Sequence, residues 1–421
     1  MAPSSRASAN SWRRWAMSRL ERVQGEVAAG FEPVREAFAH SLAARDQLGA
    51  ACCIHSHGRV VVDLWGGWQD RQRRRSWQRD TLLLVFSLTK GMTGLAAAVA
   101  VSRGLFRYEE PVATIWPEFA AMCPGFGKDR VTVGQLLSEQ AGVAAIDLRL
   151  DALVMADQAR MAGAIAVQKP NWTPGDHSGN HSYTLGWLAS ELIRRRDPMR
   201  RSLGRFFHDE IAAPLSADFW IGLPAEIDRD RLARIEGFNL LQVLLHIGPL
   251  PWRMVLGLLW PWSLPFRALN NPLLLHGPSQ LDDERYRGIE LGAIGGIGSA
   301  RALATIYAEF ASGGQRLGLA SEVLQQLSAG HAPPRLGIYD QVLKADLAYS
   351  YGLEKPSANW EYAPSRSAFG TFAVGGSFAF ADPEHQIGYA WVTNKLGLHK
   401  WDDPRELAVR EAFFACIKKK G

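Results

Sequence analysis

The sequence predicts an α+β fold in which both ends of the chain build one antiparallel sheet and a mostly helical lobe is inserted between them. Three observations carry this expectation. Apolar, β-branched runs stand near both ends. Helical periodicity dominates from about Gly104 to Ser299. With 421 residues, 47% hydrophobic and 21% charged, the chain has the length and balance to bury a large core. The sheet lobe is expected at about 25–100 and 300–421, and the helical lobe at about 101–299, with a cleft where they meet.

Residues 1–24 carry Arg6, Arg13, Arg14 and Arg19 before the first acid, Glu21, without an apolar segment behind them. This is no secretory signal, and a basic, disordered extension is expected, although a mitochondrial presequence has the same composition. "LGAACCIHSHGRVVVDLWGGW" then reads as a hairpin turning at His57-Gly58. It is followed by "LLLVFSLTKGMTGLAAAVA", a strand running into an Ala-rich helix. "VTVGQLLSEQAGV" reads as a capped short helix and "TLGWLASELIRRR" as an amphipathic one. "SFAFAD" and "QIGYAWVTN", separated by "PEH", form a second hairpin. The chain ends in a helix with Asp403 as N-cap, Pro404 at its first position and lysines at its end.

The 238–266 segment is the most apolar in the chain. Arg253 and four prolines interrupt it, so it lacks the roughly 20 unbroken residues of a membrane span. A hydrophobic lid over the cleft or a peripheral membrane contact is expected instead, with Trp252, Trp260 and Trp262 suited to a water–lipid boundary. The net charge of +5 is small and scattered. Its densest cluster, Arg194 to Arg201, reads as a helix C-terminus whose cations offset the macrodipole, so no nucleic-acid partner is expected. Cys52, Cys53, Cys123 and Cys416 lack metal-ligand spacing, which suits a reduced, cytoplasmic setting without metal.

Ser87 and Lys90 are three residues apart at the strand–helix junction, a spacing that puts both on one helix face. A serine hydroxyl becomes nucleophilic when a neighbour takes its proton. A lysine can do so only where burial and the helix dipole lower its pKa. Around this pair, "GFEPVREAFAHSLAARDQLGAACCIHSHGRVVVDLWGGW", "VTVGQLLSEQAGV", "NWTPGDHSGNHSYTLGWLASELIRR", "FWIGLPAEID", "IGSARALATIYA" and "GGSFAFADPEHQIGYAWVTN" follow in order. Together they resemble the serine β-lactamase-like superfamily, specifically the family VIII carboxylesterases related to class C β-lactamases, from about Gly25 to the C-terminus.

The resemblance implies a β-lactamase/transpeptidase-like fold and a cofactor-free serine hydrolase acting on small-molecule esters. In it Ser87 forms the acyl-enzyme and Lys90 is its base partner. The family tyrosine, fifth after Pro174-Gly175, is replaced by Asn180, an amide that cannot accept a proton. Tyr183, three residues on, is the candidate relay. Gly375, Gly376 and Ser377 match the oxyanion-hole strand. Val374 stands where β-lactamases and transpeptidases place a cation for the substrate carboxylate, which points to uncharged esters, small or lipid-like. His181 is expected to be structural, and Asp176 and His177 have no identifiable partner in the sequence. Two other readings remain: an impaired relative that keeps the cleft as a binding module, and a β-lactamase or D-Ala-D-Ala peptidase.

Overall fold

Seven residue pairs between strands from opposite ends of the chain hold the protein together, from Ala50 opposite Thr393 to Ser56 opposite Ile387. The computed structural model describes residues 23–43, 47–238, 250–274 and 277–418. Its strands are β1 (Val23–Val27), β2 (Gly49–Ser56), β3 (Arg59–Gly67), β4 (Leu83–Leu84), β5 (Phe219–Ile221), β6 (Gly296–Gly298), β7 (Ala348–Ser350), β8 (Leu353–Lys355), β9 (Phe369–Phe372), β10 (Phe378–Asp382) and β11 (Ile387–Thr393). The helices that matter below are α1 (Glu32–Ala43), α2 (Leu88–Ser102), α3 (Val133–Leu137), α4 (Thr184–Arg196), α5 (Trp252–Leu258), α6 (Leu264–Leu269), α7 (Ala300–Ala311) and α8 (Pro404–Lys418).

Eight strands form one antiparallel sheet in the order β1-β3-β2-β11-β10-β9-β8-β7. Both expected hairpins are present. The β2–β3 turn uses His57 at φ 49° and Gly58 at φ 73°, the left-handed pair that matches strand twist. Helices cover both faces of the sheet, so β10 and β11 are buried throughout and read as continuous apolar runs. Adjacent Cys52 and Cys53 point into different cores. Cys52 joins Phe38 of α1 and Phe413 of α8, while Cys53 joins Leu303 and Ile306 of α7. None of the four cysteines is in a disulfide, and all are buried.

The sheet starts at Val23, two residues before the expected boundary at 25. Val23 is buried opposite Gly66, and the Arg35 side chain donates to the carbonyl oxygens of Val23 and Gly25. The rest of the expected extension, residues 1–22, lies outside the described residues. Helix α8 begins as expected, with the Asp403 carboxylate accepting the Arg405 N–H at 3.0 Å. Thr132 and Gln135 form a reciprocal capping box at α3.

Helix α4 spans the expected residues but is not amphipathic, because Thr184 to Ile193 are all buried. Its one acid in that stretch, Glu191, is tolerated there because Arg194 and Arg195 both bind it. Two further arginines of the basic run are similarly occupied, Arg196 by Glu110 and Arg201 by Asp197 and Glu210. A second, three-stranded sheet, β4-β6-β5, lies at the start of α2 and did not register in the sequence, since its strands have only two or three residues. Among the described residues no helix is long and apolar enough to cross a membrane. The apolar insert contributes α5 and α6, while its residues 239–249 lie outside the described part.

Candidate active site

Ser87 sits at the N-terminus of α2, held there by an unusual backbone. Phe86, before it, is buried and left-handed at φ 49°, a conformation costing a non-glycine residue about 1 kcal/mol. Local bonds hold this turn: the Thr89 hydroxyl donates to the Phe86 carbonyl at 2.6 Å and accepts the Gly296 N–H at 2.8 Å. Helix α2 lies close on the sheet because Gly91 lacks a side chain; a Cβ there would stand 2.3 Å from the Tyr307 hydroxyl.

Ser87 has helical φ and ψ, so the expected i,i+3 relation to Lys90 holds. Lys90 is fully buried, and its ammonium lies 3.3 Å from Glu139 and 3.8 Å from Glu354. Burial works against the charge, yet the neighbouring acids, Glu139 foremost, outweigh it and raise the Lys90 pKa above the ordinary lysine value. This corrects the expectation of a partly neutral lysine: Lys90 is a fixed cation. Burial likewise opposes the charge of Glu139, but Lys90 and His181 hold its carboxyl below the ordinary range. Its second oxygen accepts the His181 N–H at 2.7 Å. The His181 ring accepts from Val143 N at 3.1 Å and faces the Gly179 carbonyl at 2.7 Å, a structural role as expected.

Glu354 is the neutral member of the cluster. Burial pushes its carboxyl from 4.5 up to about 8, the nearby Lys90 notwithstanding. The folded protein therefore keeps this proton up to about pH 8, while the unfolded chain loses it near 4.5, so stability declines as pH rises between these values. In Glu354→Gln that decline should shrink. The melting temperature of the variant is expected to gain on that of the parent from pH 5 to 8, and parallel curves would contradict the assignment.

Ser87 opens into a cavity of about 370 Å³. Phe86, Asn180, Ser182 and Tyr183 line it on one side, and Phe372, Val374, His399 and Lys400 on another. Met254 and Leu258, at i and i+4 along α5, form an apolar wall with Leu250, which stands just before the helix, and Leu269 and Leu274 continue it. The Asn180 carboxamide oxygen accepts the Ser182 hydroxyl at 2.6 Å, which leaves its NH₂ as the group able to donate. Tyr183 shares the cavity, but among the described residues its hydroxyl makes no hydrogen bond with Ser87 or Lys90. Burial raises its pKa, with neighbouring Tyr286 adding to the effect.

Gly375 and Gly376 do require glycine, at φ 97° and 96° with Leu396 and Asp403 where a Cβ would stand. They lie behind the cavity lining rather than in it. The Ser377 hydroxyl faces β11, accepting Thr393 N–H at 3.1 Å, and Ser377 is also outside the cavity lining, to which this segment contributes Phe372 and Val374. Asp176 does have a partner, Arg335, at 2.8 Å, and His177 contacts Gln341 at 3.3 Å.

Sequence reasoning missed Glu139, Glu354 and Lys400. Glu139 was visible as a lone acid inside the apolar "VGQLLSEQAGV", but nothing in the sequence gives its pairing 49 residues back. Lys400, from the loop between β11 and α8, lines the cavity together with Val374. Among the described residues no group of His, Cys, Asp and Glu is arranged to hold a metal.

The chain is similar to the "Esterase/beta-lactamase LipL" of Mycobacterium tuberculosis, 32% identical over 389 residues, covering 89% of this chain and 83% of that protein. A crystal structure of a family VIII carboxylesterase superposes with a TM-score of 0.81 at 31% identity, covering 94% of this chain and 99% of the other. A penicillin-binding protein homologue from Caulobacter crescentus gives 0.78 at 31% identity, with the same coverages. The Beta-lactamase family profile matches residues 34–413, nearly the whole described chain, and by that match and these relatives the protein belongs to the beta-lactamase family.

Proposed function

We propose that the protein is a serine carboxylesterase that forms an acyl-enzyme on Ser87 and prefers esters with an extended apolar acyl chain. The observation that carries this reading is the apolar wall of α5 and α6 beside the serine. Wall residues spaced by one helical turn suit an alkyl chain, and each CH₂ buried there contributes about 0.8 kcal/mol. The Lys90 ammonium, fixed by Glu139, supplies a permanent positive field beside the nucleophile and favours its alkoxide character. The backbone N–H of Ser87 is a proposed oxyanion donor, and the Asn180 amide is a proposed contact to the ester carbonyl or alkoxy oxygen.

The opposite face of α5 and its continuation is apolar as well. Trp252, Leu256, Leu259, Trp260 and Trp262 are exposed, the last at 76%. Residues 250–274 contain Arg253 and Arg267 and no acid. Such a face suits an anionic lipid surface, with the tryptophans at the headgroup level and the acyl pocket opening directly behind them. Cytoplasmic residence with peripheral membrane contact is part of this proposal.

A p-nitrophenyl ester series from acetate to decanoate tests the pocket. kcat/KM should rise by about tenfold or more up to medium chains, and Met254→Trp should move the optimum to shorter ones. A flat series in the parent would overturn the acyl-pocket reading. Flotation with vesicles containing phosphatidylglycerol should be lost in Trp260→Ser/Trp262→Ser, and absence of flotation in the parent removes the membrane part. Protein that is inert to both esters and a fluorophosphonate probe would leave the cleft as a binding module.

A further inference from the structure

The family tyrosine is absent, and the three groups nearest its role are all poor proton acceptors. Asn180 is an amide, Lys90 is held protonated, and burial raises the pKa of the Tyr183 hydroxyl and disfavours its ionised form. One other basic group in the cavity differs from these. Lys400 comes from the loop between β11 and α8 and lines the cavity with Ser87, Asn180 and Val374. Its side chain is only 9% exposed, and its amine has no hydrogen-bond partner among the described residues. A buried, unpartnered ammonium is a costly arrangement, and a purely structural lysine would be satisfied. Lys128 and Lys355 in this same protein illustrate the ordinary case, each donating to backbone carbonyls.

We propose that Lys400, through its unpartnered amine in the Ser87 cavity, is the general base of the reaction and fills the office that the tyrosine holds in the family. The inference rests on the esterase reading above. In acylation the Ser87 Oγ–H proton goes to the Nζ lone pair while the Oγ–C bond forms and the carbonyl electrons move to the oxygen. Collapse of the tetrahedral species breaks the C–O bond to the alcohol, and the Lys400 ammonium returns the proton to the departing alkoxide. Deacylation repeats the exchange with water as nucleophile and Ser87 as leaving group, so protons and atoms balance and no other reactant is needed.

The surroundings support a neutral amine. Burial lowers the Lys400 pKa from 10.5 to about 8; Asp340 and Glu354 pull it up and Lys90 pushes it down. About a tenth of the molecules then carry the free amine at pH 7. One contact favours the charged form instead: the amine lies 4.2 Å from the Trp401 ring centroid, within cation–π range. Asp402 and Asp403, next in the chain, are bound by Arg410 and Arg405. Two further titratable groups bear on any pH profile, His399 in the same cavity and Glu354, whose own carboxyl titrates near 8.

The test is the kcat/KM–pH profile of the full chain on p-nitrophenyl butyrate, in the parent and in Lys400→Met, Lys400→Arg, His399→Asn and Glu354→Gln. The parent profile should rise with pH through about 8, because the base must be deprotonated. Lys400→Met should fall at least about 10²-fold and lose that limb, with an unchanged or higher melting temperature, since it removes an unsatisfied buried amine. Lys400→Arg keeps the charge but cannot shed its proton, so a base role predicts loss of the limb and a purely electrostatic role predicts its retention. Retention of the limb in both Lys400 variants, or its loss in His399→Asn or Glu354→Gln alone, overturns the inference. In that event Ser87→Ala remains the separate test of the esterase reading, since an inactive Ser87→Ala beside an active Lys400→Met rejects only the present step.

Discussion

Ser87→Ala is expected to lose ester hydrolysis by at least about 10⁴-fold while folding normally, the scale on which removal of a catalytic nucleophile is felt. The fold should be indifferent to the change. Ser87 stands at the N-terminus of α2 but its side chain makes no capping hydrogen bond, so no native interaction disappears with the hydroxyl. The melting temperature should therefore move by no more than the equivalent of about 0.5 kcal/mol. The backbone that aims the residue, left-handed Phe86 and the Thr89 bonds, is untouched by the substitution. Fluorophosphonate labelling should vanish in parallel with turnover. A variant that keeps the parent rate would show that another group attacks the ester, and the residues of the cavity would have to be assigned again.

How much of this was legible beforehand follows from the range of the interactions involved. The two hairpins and α8 are encoded locally, by alternation, turn residues and capping, and their spans agree closely with the sequence reading. Ser87 stands out in the sequence because its spacing to Lys90 is also local, and the structure brings Asn180, Tyr183 and Val374 to the same cavity. What escaped depends on contacts distant along the chain. Helix α4 looked amphipathic because its arginines suggested a solvated face, yet Glu191 neutralises two of them at its end and leaves the rest of the helix free to be buried. The protonation state of Lys90 escaped for the same reason. From the sequence, burial and the helix dipole were the only visible influences and both lower its pKa. Two acids from elsewhere, Glu139 and Glu354, reverse the sign.

The Lys90–Glu139 pair should account for the largest stability effect of any single substitution in the site. Lys90→Met is expected to inactivate the enzyme and to destabilise it by about 3–5 kcal/mol, because it leaves the Glu139 carboxylate buried without its cation. Adding Glu139→Gln should restore much of the stability but none of the activity, which separates the fold's need for a neutral pair from the reaction's need for a cation. Acidification supplies the sign check. In the parent, the depressed Glu139 pKa contributes stability that is present above the ordinary carboxylate value and is lost as pH falls through the folded one. The raised Lys90 pKa contributes stability that is complete below the unfolded lysine value near 10.4, so it stays constant through this acid range. In Lys90→Met, the largest lowering influence on Glu139 is gone and only His181 still opposes burial, so its pKa rises relative to the parent and the variant relieves its unpaired charge by taking up a proton as the solution is acidified. The gap in melting temperature between parent and variant should therefore narrow steadily from pH 7 toward pH 4. A gap that stays constant across that range would mean that Glu139 is already protonated in the native protein and that Lys90 has no buried counter-charge to lose.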